Sequence, residues 1–332
     1  MDSSFAIASL PQLTPAQAEA WQEVVAASMA LDLPGVPPPT AEELYARLAG
    51  SQLRSRVLTW LATAPDGRVA GVASLRLFTG AGQGHLAEAE LHVHPDLRKR
   101  GIGSGLLSEL LAGASAEARR TVITQTPADT PAQRFCVSRG FSSALTLDHL
   151  ILPLSELDPD RLDKLATADD PGYRLTRWRG TVPAELAPAF AAAKSAMNDM
   201  PIGEIDYGTV GWDADRVVRM AEVVADRGDT LLTVAALHDS DMAGFTEIVI
   251  PGGTGPWAQQ YDTAVVPAHR GHGLGVRVKA SMLQWLRAEH PHLTEVETDN
   301  ATDNTHMLAV NEQLGFRAYR RTHEYQLTLP TA

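Results

Sequence analysis

The spacing of apolar and polar residues changes character several times along the chain, and it does so twice in the same order. Each half opens with helical spacing. Thr14-Pro15-Ala16-Gln17 has the shape of a capping box with proline at the first helical position, and Thr40-Ala41-Glu42-Glu43 repeats the signal. In the second half, residues 183–197 and 213–225 carry the helical period. β-rich runs follow. Residues 56–63 and 70–77 read as a hairpin turning at Pro65-Asp66-Gly67, and residues 231–237 and 243–250 as one turning at Asp239-Ser240-Asp241. Each half then shows a strand, a glycine-rich turn and a long amphipathic helix, over about residues 103–119 and 275–289. A strand (121–126, 295–298) and a shorter helix ending at a Gly-Phe pair come next. Strands over 144–152 and about 323–329 finish the two halves.

The two halves therefore read as copies of one domain. Pro95 and Pro267, Arg98 and Arg270, Gly101 and Gly273, and Gly103 and Gly275 are each 172 positions apart. Ala70-Gly71 matches Ala243-Gly244 at an offset of 173, and Gly140-Phe141 matches Gly315-Phe316 at 175. Landmarks that keep their order and spacing over such a distance mark a duplication. The stretch 153–173 is charged and carries Pro and Gly, so the join is expected there: residues 1–154 as an N-terminal domain, 155–172 as a linker and 173–332 as a C-terminal domain.

Composition narrows the function classes. Hydrophobic residues make up 44% and charged residues 20% of the 332, which excludes disorder, collagen and coiled coil as the main architecture. Lys+Arg is 28 against 40 Asp+Glu, a net charge of −12, which argues against nucleic acid or an anionic membrane as partner. The single cysteine, Cys136, rules out an intramolecular disulfide and a multi-thiolate zinc site, and no metal is expected. The first ten residues have no basic n-region, and apolar runs such as 231–237 are too short to span a bilayer. A soluble cytoplasmic protein is expected.

The glycine-rich turn carries the chemistry. Its unit is strand, Pro, two residues, Arg, two residues, Gly, one residue, Gly, then helix. Glycines let the backbone approach a ligand closely, and the amides of a helix start point outward with the dipole favouring an anion. Arg98, Lys99 and Arg100 add positive charge in copy one; His269, Arg270 and His272 do so more weakly in copy two. The turn reads as a pyrophosphate cradle. It is neither a P-loop, since no Gly-Lys-Ser/Thr follows, nor the dinucleotide fingerprint, since G-x-G-x-x-G is absent.

In the residues 93–103 and 265–275, and in the later Gly-Phe pairs, the sequence resembles the GNAT superfamily of N-acetyltransferases in tandem form. The match is to its Arg/Gln-x-x-Gly-x-Gly/Ala loop, and the layout is similar to that of mycothiol synthase-like actinobacterial acetyltransferases. The resemblance implies an α/β (α+β) protein of two acyl-CoA N-acyltransferase folds, each a mixed, mostly antiparallel sheet flanked by helices. It implies acetyl-CoA as co-substrate and direct acyl transfer to the primary amine of a small molecule. The residues it assigns to the cofactor are Val93, Arg98, Lys99, Arg100, Gly101, Gly103 and Ser104 in copy one. In copy two they are Val265, Val266, Arg270, Gly271, His272, Gly273, Gly275, Asn300 and Asn304. Strand amides near 91–93 and 263–265 would face the thioester oxygen.

The chain departs from the family where a Tyr often supplies the proton for the leaving thiolate. Those positions hold Cys136 and Asn311, and a matching Asn is kept in copy two as Asn304 but is Asp129 in copy one. Asn304 favours copy two as the active copy, while copy one has the more basic loop. Candidate bases lie on the strand before each loop, because an ammonium with a pKa near 10 must lose a proton. In copy one Glu88, Glu90, His92 and His94 alternate on one face, with Glu90 the candidate; in copy two Gln260, Asp262, Ala264 and Val266 alternate likewise, with Asp262 or Glu247 as base. Asp199, in Met197-Asn198-Asp199-Met200-Pro201, could counter the charge of an amine, and His306 could shuttle protons. The alternative is a pair of domains that bind CoA and have lost chemistry.

Overall fold

The computed structural model describes residues 5–49, 55–167, 172–253 and 255–330. In chain order the first copy contains β1 (Ala6–Ser9), α1 (Pro15–Asp32), α2 (Ala41–Ala49), β2 (Ser55–Thr63), β3 (Val69–Phe78), β4 (Leu86–Val93), α3 (Ile102–Ala116), β5 (Thr121–Pro127), α4 (Pro131–Ser138) and β6 (Ser142–Pro153). Then come α5 (Pro159–Ala166), β7 (Arg174–Arg179), α6 (Ala187–Lys194), α7 (Ala214–Asp226), β8 (Thr230–His238), β9 (Asp241–Ile250), β10 (Trp257–Val265), α8 (Leu274–Glu289), β11 (Glu295–Ala301), α9 (Thr305–Leu314) and β12 (Arg317–Thr328). The expected capping boxes form. Thr14 and Gln17 cap α1 reciprocally, and Thr40 and Glu43 do the same for α2.

The chain divides into two compact units, and the division differs from the expected boundaries. Unit one comprises residues 1–145, 204–209 and 322–332; unit two comprises 146–203 and 210–321. Residues 322–328 of β12 pair antiparallel with β5 in unit one, and residues 147–153 of β6 pair antiparallel with β11 in unit two. Each sheet is thus completed by the closing strand of the other copy. An alternating pattern specifies that a segment is a strand and which face is apolar, but not which sheet receives it. The stretch 155–172 is also no simple linker. Asp158 caps α5, and Leu162 and Ala166 join the core of unit two.

In unit one, α3 presses Ile102, Leu106 and Leu110 against Leu75 and Leu77 of β3, while Trp21, Val24 and Leu44 cover Val72 from the opposite side. In unit two, α8 places Leu274, Val278, Met282 and Leu286 against Leu232, Val234, Ile248 and Val296. Phe190 and Ala191 of α6 and Val217 of α7 pack on Ala235 and Phe245 from the other face. Each fully buried leucine contributes about 2 kcal/mol of apolar burial. Both units are therefore sheets with helices on both faces.

One irregularity positions the site. β4 pairs parallel with β5 only through Leu86–Glu88, and β10 with β11 only through Trp257–Gln259; beyond these residues the strands part. Past that point the backbone groups on that side of β4 and β10 have no strand pairing with β5 or β11, and in unit two residues 259–265 line an opening that reaches Arg270 and Gly275.

Candidate active site

Both turns have the same backbone. Two left-handed positions flank one residue: Lys99 (φ 61°) and Gly101 (φ 86°) in copy one, Gly271 (φ 88°) and Gly273 (φ 68°) in copy two. The amide of Arg98 bonds Pro95 O and that of Gly105 bonds Gly101 O, and between them no amide from Lys99 to Ser104 has a backbone partner among the described residues. In copy two the brackets are Arg270 to Pro267 O and Arg277 to Gly273 O, with the amides of Gly271, Gly273, Leu274, Gly275 and Val276 equally open. Such a row of outward amides at a helix start is an anion nest. A Cβ at Gly271 or Gly273 would meet nothing within 4 Å, so the copy-two nest is uncovered, whereas one at Gly101 would meet Phe5 at 3.7 Å. The residues present fit a diphosphate.

The loop arginines have another job in this structure. Nε of Arg98 donates to Val93 O at 3.2 Å, and its two terminal nitrogens hold Asp32 at 3.0 and 2.5 Å and Ser28 at 2.9 Å. Nε of Arg270 donates to Val265 O at 3.2 Å and Nη2 to Asp199 at 3.0 Å. Both guanidiniums brace the turn against the strand end, and Asp199 is the brace's counter-ion. Val266 donates its amide to Ala243 O and His94 to Ala70 O, so the neighbouring amides of Val265 and Val93 turn to the opened side of the strand. His272 packs its ring 5.2 Å from Tyr173, and Arg100 reaches Asp96 O at 3.3 Å. Gly103 packs against Val93 and Phe135, and Ser104 accepts from Arg139 at 2.5 Å.

Unit two contains a cavity of about 840 Å³ along the parted strands. Its wall includes residues 259–265, Arg270, Gly275, Lys279, Asp299, Asn300, Asn304, His306 and Asp199. Asn304 caps α9 by accepting from the Met307 amide at 3.2 Å, and Asn300 accepts from Asn311 Nδ2 at 2.5 Å. Asn311, at the position where a proton donor was sought, is fully buried.

The expected alternation along the second strand fails at a bulge. Gln260 opposes Ile248 and Thr263 opposes Thr246, so Tyr261 and Asp262 together oppose Glu247. Gln260 therefore does not share a face with Ala264. Its side-chain amide instead donates to Glu247 O at 2.5 Å and Thr246 at 2.9 Å, satisfying the carbonyl that the bulge strands. Asp262 turns with Glu247 towards Lys194, a residue sequence reasoning missed.

Lys194 Nζ holds Asp262 Oδ2 at 2.6 Å and contacts Glu247 Oε2. It lies over the rings of Trp212, Phe245 and Phe190 at 4.9, 5.2 and 5.6 Å. Burial pulls its pKa down, but the two carboxylates outweigh that and hold it above its ordinary value. Burial also pushes Glu247 up despite the lysine. Asp262 is the exposed member, its side chain 34% accessible and in the cavity wall. The only signal in the sequence is a lysine amid alanines, Ala191-Ala192-Ala193-Lys194.

Copy one is built differently at the same place. β4 pairs with β3 in unbroken register from Ala87 to Val93. Glu90 is held by Arg47 at 3.0 Å and His92 at 3.2 Å, and His92 reaches Ser28 at 3.3 Å. Burial raises the Glu90 carboxyl, but His92 and Arg47 bring it down to about 2, so it is a poor base. Glu88 pairs with Arg76 at 3.1 Å. Cys136 is buried among apolar neighbours, and burial pushes its thiol up to about 11.

The model of the Acetyltransferase (GNAT) family matches residues 21–141 and again 203–316. The mycothiol acetyltransferase of Nocardia farcinica is 29% identical over 302 residues, 90% of each chain. That of Sanguibacter keddieii is 29% identical over 252 residues, 74% of this chain and 75% of its own. Among solved structures, a tandem GNAT protein from the clavulanic acid biosynthesis pathway superposes with a TM-score of 0.81 at 25% identity, covering 99% of this chain and 100% of its own. A GCN5-related N-acetyltransferase from Sphaerobacter thermophilus shares the fold, with a TM-score of 0.72 at 19% identity and coverage of 99% and 97%. With two matching regions that span most of its length, the chain belongs to the acetyltransferase (GNAT) family, as a tandem N-acetyltransferase whose acyl donor is acetyl-CoA.

Proposed function

We propose that copy two transfers the acetyl group directly from acetyl-CoA to the primary amine of a small molecule, and that copy one does not transfer. The observation that carries this reading is the continuity of one open feature in unit two. Arg270 and Gly275 of the turn, the parted strand 259–265 and the exposed carboxylate of Asp262 all border a single cavity, and the turn's Gly271 and Gly273 are uncovered. The mycothiol acetyltransferase relatives support a small-molecule acceptor.

In this reading the nest amides and Gly271, Gly273 and Gly275 take the diphosphate. The Val265 amide faces the thioester oxygen and stabilises it as charge develops. Asn300 and Asn304 line the donor arm. Asp262 receives the proton of the acceptor nitrogen, while Lys194 and Glu247 fix its carboxylate in one rotamer. Arg270 and Asp199 keep the turn in place, and His306 stands at the mouth. In copy one, Val93, Arg98, Lys99, Arg100, Gly101, Gly103 and Ser104 form a cradle that serves binding or structure, since His92 and Arg47 hold the Glu90 carboxyl down to about 2.

The test is thiol release from acetyl-CoA with a panel of aminosugars, polyamines and amino acids, beside calorimetry with CoA. Gly273→Asp puts a side chain on a left-handed residue and a negative charge in the nest, and is expected to weaken CoA at least about 100-fold and remove turnover. Gly101→Asp is expected to leave turnover within about threefold. Turnover that survives Gly273→Asp but not Gly101→Asp reverses the assignment. Binding without turnover of any amine leaves two CoA-binding domains.

A further inference from the structure

Lys279 has no part in the roles above. It lies one turn into α8 beyond Gly275, is 2% exposed and lines the cavity. Its flanking residues Val278 and Ala280 belong to the apolar core, and the Phe316 ring sits 5.1 Å from Nζ. Among the described residues its amine has no hydrogen-bond or ion-pair partner, and no charged group offsets its burial. A buried ammonium without a counter-charge is destabilising by several kcal/mol, and burial pushes this one down to about 7. The fold itself does not require an amine there. The position 172 residues earlier is Leu107, an ordinary core leucine of unit one. Next to Lys279, Phe316 donates its amide to Asn311 O, and Asn311 holds Asn300 on the cavity wall. Lys279 and Asn300 thus both line the cavity, and the Lys279 amine is the one of the two that can act as an acid.

We propose that Lys279 is the proton donor to the sulfur of the departing CoA in copy two. The proposal rests on copy two being the site of transfer. The acceptor nitrogen forms its bond to the acetyl carbon, the carbon–sulfur bond breaks, and its electron pair goes to sulfur. The Lys279 ammonium gives one proton to that sulfur and is left as a neutral amine. The acceptor nitrogen loses its proton to Asp262, and exchange with water returns Asp262 and Lys279 to their starting states. Near neutrality the ammonium still carries its proton, so the charge that develops on sulfur meets a cation able to release that proton as CoA departs.

The test follows the thiol of bound CoA by its thiolate ultraviolet absorbance, which needs no acceptor. Calorimetry first establishes CoA binding to the full-length protein. A cation beside the sulfur favours thiolate, so bound CoA is expected to ionise at least about one pH unit lower in the wild type than in Lys279→Leu or Lys279→Met. Lys279→Leu copies the residue of unit one and is expected to fold. Lys279→Arg keeps the cation but not a releasable proton, so it is expected to restore the low thiol titration without restoring turnover. Turnover of the amine accepted by the wild type is expected to fall on the order of 10²–10⁴-fold in all three variants, with acetyl-CoA affinity within about threefold. Identical thiol titration in wild type and Lys279→Leu overturns the proposal and leaves the copy-two assignment standing. Absence of CoA binding to unit two overturns both.

Discussion

Corresponding positions of the two copies solve one geometric problem in opposite ways. Where β4 of copy one runs in unbroken register, β10 of copy two carries a bulge that aims Asp262 at Lys194. Leu107 fills the core on one side, and its counterpart Lys279 borders a cavity on the other. Glu90 is tied to Arg47 and His92, and Arg98 to Asp32 and Ser28, so the polar groups of copy one satisfy each other. In copy two Asp262 and Arg270 are paired as well, with Lys194 and Asp199, but Asp262 also lines the cavity and Lys279 has no ion-pair partner among the described residues. A satisfied network stabilises and is chemically inert; open polar groups cost stability and are available to a ligand. The difference teaches that duplication lets corresponding positions of one scaffold diverge, with a self-paired polar network in one copy and a polar-lined cavity in the other.

The comparison predicts unequal consequences of removing one cation from each copy. Lys194→Met leaves Glu247 and Asp262 facing each other without a counter-charge, with Glu247 buried. The expected loss is about 3–5 kcal/mol, read as a lowered urea midpoint. Arg47→Met breaks a pair whose side chains are 40% and 36% exposed, and should lose less than about 1 kcal/mol. Equal losses would mean that the two networks are not different in kind.

Acid sharpens the contrast further. Burial raises the Glu297 carboxyl, but bonds from His149 and Tyr319 and the charge of Arg320 bring it down to about 2. A depressed carboxylate contributes stability that is fully present above its ordinary value near 4.5 and is lost as pH falls from there towards 2. The most that Glu297 contributes is about 3 kcal/mol, because its side chain is only 20% exposed. Glu90 is displaced in the same direction, but at 36% exposure solvent screens it and its share is smaller. Unfolding between pH 5 and pH 2.5 should therefore lose more of its pH dependence in Glu297→Gln than in Glu90→Gln.

Much of this was legible beforehand, for physical reasons that also mark the limit. The offset of 172 located both turns and both helix starts, because a left-handed glycine followed by a helix needs specific residues at specific places. The capping boxes at Thr14 and Thr40 were equally local. The exchange of closing strands was not, since β6 and β12 carry the same alternating pattern and either sheet satisfies it. The helix α5 hid in a stretch whose charge and proline read as a join, and the strand β7 just after it was not read. Lys194 follows a run of alanines and Lys279 sits in an amphipathic helix that carries other cations, and only tertiary contact shows that one meets two carboxylates and the other a ring. Arg98 and Arg270 were found by motif, but their brace to the strand-end carbonyls follows from the side-chain path.

The smallest effect concerns the first left-handed position of each turn. Copy two has Gly271 there at φ 88°, which glycine adopts without strain, and copy one has Lys99 at φ 61°. For a residue with a Cβ that conformation is unfavourable by about 1–2 kcal/mol, offset in part by the greater freedom glycine has when unfolded. Lys99→Gly should therefore raise stability by a few tenths to about 1 kcal/mol, and Gly271→Lys should lower it by a similar amount, both read from urea midpoints. Nothing lies within 4 Å of a Cβ at Gly271, so contact cannot account for a loss there and backbone strain is isolated. If Lys99→Gly also leaves CoA binding to copy two untouched, the lysine is a tolerated relic of a basic turn. If it instead removes a second CoA site from the calorimetric stoichiometry, copy one binds the donor through that charge and the two copies differ in transfer alone.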